Sequence, residues 1–259
     1  MEYRTINADC AEALFHLEAE SVDLTVTSPP YDNLRDYDGY SFDFPKVAEG
    51  LWRVTKQGGT VVWIVNDATI AGSETGTSFR QALGFKEVGF NLLDTMIWVK
   101  DGGGATGSNQ AYTQNFEYMF VLTKGIPKTT NLIYDVPNKS GGRVHNCVNR
   151  RAADGSKRRR PRKMAAEFSR RNNWWYMINN DNHDCGGHPA VFPRRLVHDH
   201  IISWSNSGDT VLDPFMGSGT TGLVCAELER DFIGIEISER WCSYATERLR
   251  IAYSQQRLF

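Results

Sequence analysis

The sequence predicts an α/β fold: a doubly wound, mostly parallel sheet with a basic lobe inserted into it. Three observations predict this. Short apolar strands alternate with stretches of helical periodicity. A strand near the carboxyl end runs into a glycine-rich turn and then a helix, the order that creates a ligand site at the carboxyl edge of a parallel sheet. Between about residues 125 and 185 the composition shifts to dense basic charge. A chain of 259 residues is long enough for one substantial core and a small lobe.

The elements follow in order. Ser21 to Thr27 reads as a strand, with Val22, Leu24 and Val26 alternating against Asp23 and Thr25. It runs into Ser28-Pro29-Pro30-Tyr31, where two prolines without ladder donors must end it. Phe44 to Val54 reads as a helix, with Gly58-Gly59 as its stop. Thr60 to Val65 is a buried strand ending at Asn66-Asp67, and Leu92 to Val99 and Phe116 to Thr123 are further strands. Asp101 to Ser108 is glycine-rich and reads as a loop. Helical spacing resumes from Arg194 through Leu196, Val197, Ile201 and Ile202. Thr210 to Asp213 is a strand, followed by a glycine turn and a helix. Asp231 to Ile235 is a strand ending in Glu236, and a last helix starts near Ser238. The chain divides as 1–124, an insert at 125–185, and 186–259.

Composition excludes several classes. With 41% hydrophobic and 23% charged residues, wholesale disorder is excluded. The formal net charge of −2 excludes a uniformly basic binder, so the local run Lys157 to Lys163 carries more meaning than the total. No run reaches the ~20 apolar residues of a membrane span, and the start lacks a secretory pattern. The five cysteines form no C-x-x-C pair, which fits a reducing cytoplasm. His145, Cys147, His183, Cys185 and His188 match no zinc-finger spacing, so no metal is expected.

Gly217, Gly219 and Gly222 satisfy G-x-G-x-x-G, and Glu236 ends the next strand, the layout of a nucleotide-type cofactor site. Only about 40 residues follow this loop, too few for a dinucleotide fold, so the sheet must draw its other strands from upstream. At the other end, Thr27-Ser28-Pro29-Pro30-Tyr31 could turn carbonyls and a hydroxyl into a cleft beside an aromatic face. Taken alone, it could equally be an ordinary turn.

Together, Thr27-Ser28-Pro29-Pro30-Tyr31 and Asp213-Pro214-Phe215-Met216-Gly217-Ser218-Gly219-Thr220 resemble the DNA amino-methyltransferases of adenine N6 and cytosine N4. The order, tip first and cofactor loop last, is similar to the permuted group called beta, and the resemblance covers nearly the whole chain. It implies a Rossmann-like methyltransferase fold, S-adenosylmethionine as cofactor and double-stranded DNA as substrate. Residues 1–124 would be the catalytic half, 125–185 the target-recognition insert and 186–259 the cofactor half. Ser28, Pro29, Pro30 and Tyr31 would form the catalytic tip. Asp213, Pro214, Phe215, Gly217, Ser218, Gly219 and Thr220 would form the cofactor loop, Glu236 would take ribose hydroxyls, and Asp9 the adenine edge. His188-Pro189-Ala190, Phe192 and Pro193 match the segment before that loop. Serine at position 28 is commoner among cytosine-N4 members, whereas adenine members more often carry Asp.

Arg143, Arg150, Arg151, Arg158, Arg159, Arg160 and Lys163 are the expected DNA contacts, against the alternative of a solvated charged loop. Trp174 and Trp175 are expected to pack the insert onto the core. A cytoplasmic, DNA-associated enzyme follows from the resemblance, and homodimers are common in such families. Three other readings stay open: a methyltransferase acting on RNA or a protein amide, a nicotinamide-dependent oxidoreductase, and a non-catalytic DNA-binding module.

Overall fold

The computed structural model describes residues 1–30, 42–101, 111–145, 149–151, 154–159, 163–178, 186 and 193–256. Two compact units are present: Met1–Asn131 with Asn173–Phe259, and Leu132–Asn172.

The large unit begins with β1 (Tyr3–Asn7), α1 (Cys10–His16), β2 (Val22–Thr27), α2 (Phe44–Val54) and β3 (Thr55–Val65). Then come the short ribbon β4 (Thr69–Ile70) and β5 (Ser73–Glu74), helix α3 (Thr77–Val88), and the hairpin strands β6 (Asn91–Val99) and β7 (Phe116–Thr123). The small unit contributes β8 (Val136–Pro137), β9 (Val144–His145), β10 (Asn149–Arg151), β11 (Lys157–Arg159), β12 (Lys163–Met164) and β13 (Phe168–Ser169). The large unit resumes with β14 (Trp174–Tyr176), α4 (Arg194–Trp204), β15 (Thr210–Asp213), α5 (Thr220–Glu227), β16 (Asp231–Glu236) and α6 (Glu239–Gln256).

The sheet order is β1-β16-β15-β2-β3-β7-β6-β14. Only the pairings of β7 with β3 and with β6 are antiparallel. The expected doubly wound, mostly parallel α/β fold is therefore present. All six residues of β2 are buried, so the alternation read from its sequence does not mark one wet face. Helices cover both sides, as parallel sheets require. Val61, Trp63 and Val65 of β3 pack with α1, α2 and α3, while the intervening Val62 and Ile64 are fully buried on the opposite face. Two of the helices present a clear apolar stripe inward: Val47, Leu51 and Val54 on α2, and Cys242, Ala245, Leu249 and Tyr253 on α6.

Polar groups lock this sheet where hydrophobicity alone would leave its register loose. Asp23, buried in β2, accepts from the Thr210 backbone N–H at 3.0 Å and from Lys56 Nζ at 2.5 Å. It thereby ties β2 to β15 and β3 at their starts. Asp67, just past β3, accepts from Ser78 N at 2.9 Å and Ser78 Oγ at 2.5 Å, fixing the first turn of α3. Lys100 pairs with buried Glu117 across the β6–β7 hairpin.

One sequence-based boundary is corrected. Gly58-Gly59 does not stop α2, which already ends at Val54; both glycines lie inside β3, where its register against β2 jumps from Val22↔Thr55 to Leu24↔Thr60. A bulge of this kind suits residues without side chains. Trp174 and Trp175 belong to the large unit, in β14 beside β6. Only Trp175 is buried; Trp174 and Tyr176 are each 55% exposed, as alternation along an edge strand dictates.

The small unit is a nested antiparallel ribbon. β13 pairs with β8, β12 with β9, and β11 with β10, each inside the last. Arg171 pairs with Asp135 near its base, and Arg170 lies over the Tyr134 ring, 5.9 Å from its centroid.

Candidate functional site

Two adjacent parallel strands define the site. β2 and β15 are neighbours, with Val211 opposite Leu24 and Leu212 opposite Thr25. From β15 the chain proceeds to β16 on one side; from β2 it proceeds to β3 on the other. The connections diverge, which opens a crevice between the carboxyl ends of the two strands. Ser28-Pro29-Pro30 leaves β2 at that edge, with Pro29 buried and Ser28 and Pro30 partly exposed. The loop Pro214 to Gly219 leaves β15 at the same edge.

One carboxylate joins tip strand and loop. Asp213 Oδ1 accepts from Thr27 Oγ1 at 2.7 Å and from the Phe215 backbone N–H at 3.1 Å. Its Oδ2 accepts from Thr221 Oγ1 at 2.7 Å. Asp213 and its two threonine partners are all within 1% of complete burial. Burial pushes the Asp213 carboxyl up to about 6, against the pull of those three donors. Asp213 thus shapes the loop from beneath.

The loop itself is built for close approach. Gly217 and Gly219 have φ of +52° and +84°, and Gly219 caps α5. A Cβ on Gly222 would lie 2.6 Å from Leu249 Cδ2 and from Phe232 Cε1, so α5 can press against β16 and α6 only with glycine there. Pro214, Ser218 and Thr220 are buried, and Phe215 is partly exposed. The Phe215 ring meets Phe42 edge-on at 5.0 Å and Trp63 at 6.1 Å. Arg248 of α6 donates to the Ser218 carbonyl at 2.6 Å.

Two acids flank the loop. Glu236, at the end of β16, accepts from Gly217 N at 2.8 Å and from Ser238 N at 2.9 Å, one bond to each carboxylate oxygen. Burial raises its pKa. β1 lies beside β16, with Asn7 opposite Glu236, so Asp9 follows at the same edge. Asp9 caps α1, its Oδ1 accepting from Ala11 N at 2.8 Å and Glu12 N at 3.2 Å. From Asp9 an open groove of about 810 Å³ runs past Ala11, Glu12, Phe15, Phe42 and Lys46.

All the cofactor-loop residues expected from sequence, with Asp9 and Glu236, lie at this edge, together with Ser28, Pro29 and Pro30. Tyr31 lies outside the described residues, as do Arg160, Cys147, His183, Cys185, His188, Pro189, Ala190, Phe192 and the Gly102–Ser108 segment. Among the described residues no His, Cys, Asp and Glu group could hold a metal ion, and no helix is long and apolar enough to cross a membrane.

A family model described as DNA methylase, of the N6/N4 type, matches residues 22–247, from the first residue of β2 into α6. The chain belongs to the N6/N4 DNA methylase family. The chain is 52% identical over 237 residues to the orphan methyltransferase M.BamHII of Bacillus amyloliquefaciens, covering 89% of each protein. It is 29% identical to the type II methyltransferase M.SmaI of Serratia marcescens, over 95% of this chain and 90% of that one. Among solved structures, the cytosine-N4-specific PvuII DNA methyltransferase superposes with a TM-score of 0.67 at 19% identity, covering 99% of this chain and 93% of that one. The M1.HpyAVI–SAM complex gives 0.63 at 24%, over 95% and 98%. Both show the shared fold.

In this methylase the described basic residues expected to touch DNA lie in the small unit, with Arg150, Arg151, Arg158, Arg159 and Lys163 on the strands of its ribbon. Register puts Arg150 opposite Arg158, and Arg151 opposite Lys157. Lys163 pairs in register with His145, and Arg143 is exposed. Sequence reasoning misses Thr27 and Thr221, whose hydroxyls organise the methylase's loop. Their signal is position alone: Thr27 directly precedes the tip, and Thr221 is the second residue of the helix after the loop.

Proposed function

We propose that this methylase transfers the methyl group of S-adenosylmethionine to an exocyclic amino nitrogen of a base flipped out of double-stranded DNA, cytosine N4 in preference to adenine N6. The observation that carries this reading is the crevice between β2 and β15. There a Ser-Pro-Pro tip and a glycine loop emerge from adjacent strands and share one buried carboxylate.

The residues present fit S-adenosylmethionine. Each Glu236 oxygen accepts one backbone N–H and keeps acceptor capacity for a ribose hydroxyl. Gly217 and Gly219 bring no side chain to the loop, and Asp9 follows β1 at the same edge of the sheet. When bound, the cofactor supplies an electrophilic methyl group. Everything else falls to the chain. Ser28 Oγ and the carbonyls of Ser28 and Pro29 accept the hydrogens of the target amino group, which draws its nitrogen toward a tetrahedral shape and aims its lone pair. Tyr31 replaces the stacking lost on flipping. Acceptors fixed on a rigid strand end stabilise the positive charge that develops on nitrogen. The preference for cytosine rests on serine at position 28.

The small unit would hold the DNA. A two-stranded ribbon can enter the major groove. The backbone register sets basic residues opposite one another, Arg150 with Arg158 and Arg151 with Lys157, a concentration of positive charge that suits a polyanionic partner. The division into a catalytic half, a recognition insert and a cofactor half follows from these roles.

Ser28→Ala tests the assignment of the tip. Methyl transfer to duplex DNA should fall roughly 100-fold or more in kcat, while the Kd for S-adenosylmethionine should stay within about threefold. A matched loss of cofactor affinity would move Ser28 from the base to the cofactor and refute the assignment.

A further inference from the structure

The tip and the glycine loop lie 185 residues apart in sequence, from Ser28 to Asp213, yet methyl transfer requires a fixed separation between what each one holds. The described contacts include one side-chain bridge between their strands at the functional edge, Thr27 Oγ1 donating to Asp213 Oδ1 at 2.7 Å. We propose that Thr27 is a positioning residue, whose hydroxyl sets the distance from the base-holding tip to the methyl-donor loop. This rests on the methyltransferase reading above.

Geometry supports the assignment. Thr27 is the last residue of β2, and the next residue, Ser28, begins the tip. The oxygen that receives its hydrogen bond also receives the Phe215 backbone N–H, inside the loop. One atom therefore connects the residue before the tip with the second residue of the loop. The other oxygen of the same carboxylate holds Thr221 on α5, so Asp213 cannot swing without disturbing the helix. Thr27 is completely buried, and its β-branched side chain is confined to few rotamers. At the opposite ends of the same strands, Asp23 makes the matching tie to Thr210 N. β2 and β15 are thus pinned at both ends, and only the Thr27 pin lies at the chemistry. Displacing reacting groups by about 1 Å costs on the order of 100-fold in rate, while binding of either ligand depends on other contacts.

Thr27→Val keeps shape and burial and deletes the donor; Thr27→Ser keeps the donor. The readouts are kcat for methyl transfer to duplex DNA, the Kd for S-adenosylmethionine by calorimetry, and Tm. Thr27→Val should lose roughly 10- to 100-fold in kcat, with Kd within about threefold of wild type, and Thr27→Ser should recover most of that loss. Should Thr27→Val not fold, Thr27→Ala in the same comparison should show the same kcat loss. A Thr27→Val chain as active as wild type overturns the proposal alone. So does a kcat loss that Thr27→Ser shares in full, because shape rather than the hydroxyl would then matter. A wild-type chain that binds S-adenosylmethionine yet methylates no DNA overturns the underlying reading, and the proposal with it.

Discussion

Burial drives the His200 imidazole down to about 3 and the Asp213 carboxyl up to about 6, and the two respond to acid in opposite senses. His200 is fully buried on α4, its Nε2 against Met119 Sδ at 3.2 Å and its Nδ1 without a hydrogen-bond partner among the described residues. Between its usual 6.5 and about 3 the unfolded chain binds a proton that the folded chain refuses. Stability from this group is therefore full above 6.5 and falls with pH, by up to about 1.4 kcal/mol per unit. For Asp213 the folded chain holds the extra proton between 3.8 and about 6, so its contribution rises as pH falls through that range and offsets His200 there. Substituting one group isolates it. The stability of His200→Gln minus that of wild type, from urea unfolding, should increase as pH drops below 6.5. A pH-independent difference would show that His200 takes up its proton in the fold as readily as in the unfolded chain. The sequence marks Asp213 as part of the glycine loop, but the pKa shift of neither group is legible there, because burial is a product of the packed structure.

Individual elements are legible where their own pattern matches their environment. The sequence predicts α2 at Phe44 to Val54 and the helix is found there, because its apolar stripe, its Asp43 cap and Pro45 in the first turn all agree. α3 leaves no such signal, for the converse reason. Its apolar Phe79 and Leu83 are 50% and 58% exposed, while Ser78 and Gln81 are buried. Those two positions are buried by hydrogen bonds, Ser78 to Asp67 and Gln81 to Trp63 Nε1, which no hydrophobic periodicity records. The basic run of the small unit is visible as charge, but its form as a nested ribbon depends on pairings that charge does not encode. If the ribbon binds the phosphate backbone, replacing Arg150, Arg158 and Arg159 with alanine should weaken duplex binding on every sequence. It should also flatten the slope of log K against log salt by about 0.9 for each phosphate no longer neutralised. Fluorescence anisotropy across a salt series reads both, and an unchanged slope would make the ribbon a bystander.

At the scale of the molecule, function depends on an order of strands that runs against the order of the chain. β1 pairs with β16 and β2 with β15, so the cofactor loop near the carboxyl end meets a tip formed near the amino end. That a rearranged sheet is needed can be inferred from the few residues left after the glycine loop; which strands meet cannot, because parallel pairing between distant segments leaves no local mark. The tip motif and the glycine loop are therefore legible as two separate signals, and their juxtaposition is what the fold adds. The central claim, that the two act as one centre on an amino group of DNA, is tested most directly by incubating the protein with S-adenosylmethionine and mixed-sequence duplex DNA. The digested nucleosides are then resolved by mass spectrometry. The account predicts N4-methylcytosine. N6-methyladenine would contradict the reading of Ser28 while preserving the centre, and no methylated nucleoside, from protein shown to bind the cofactor, would contradict the account as a whole.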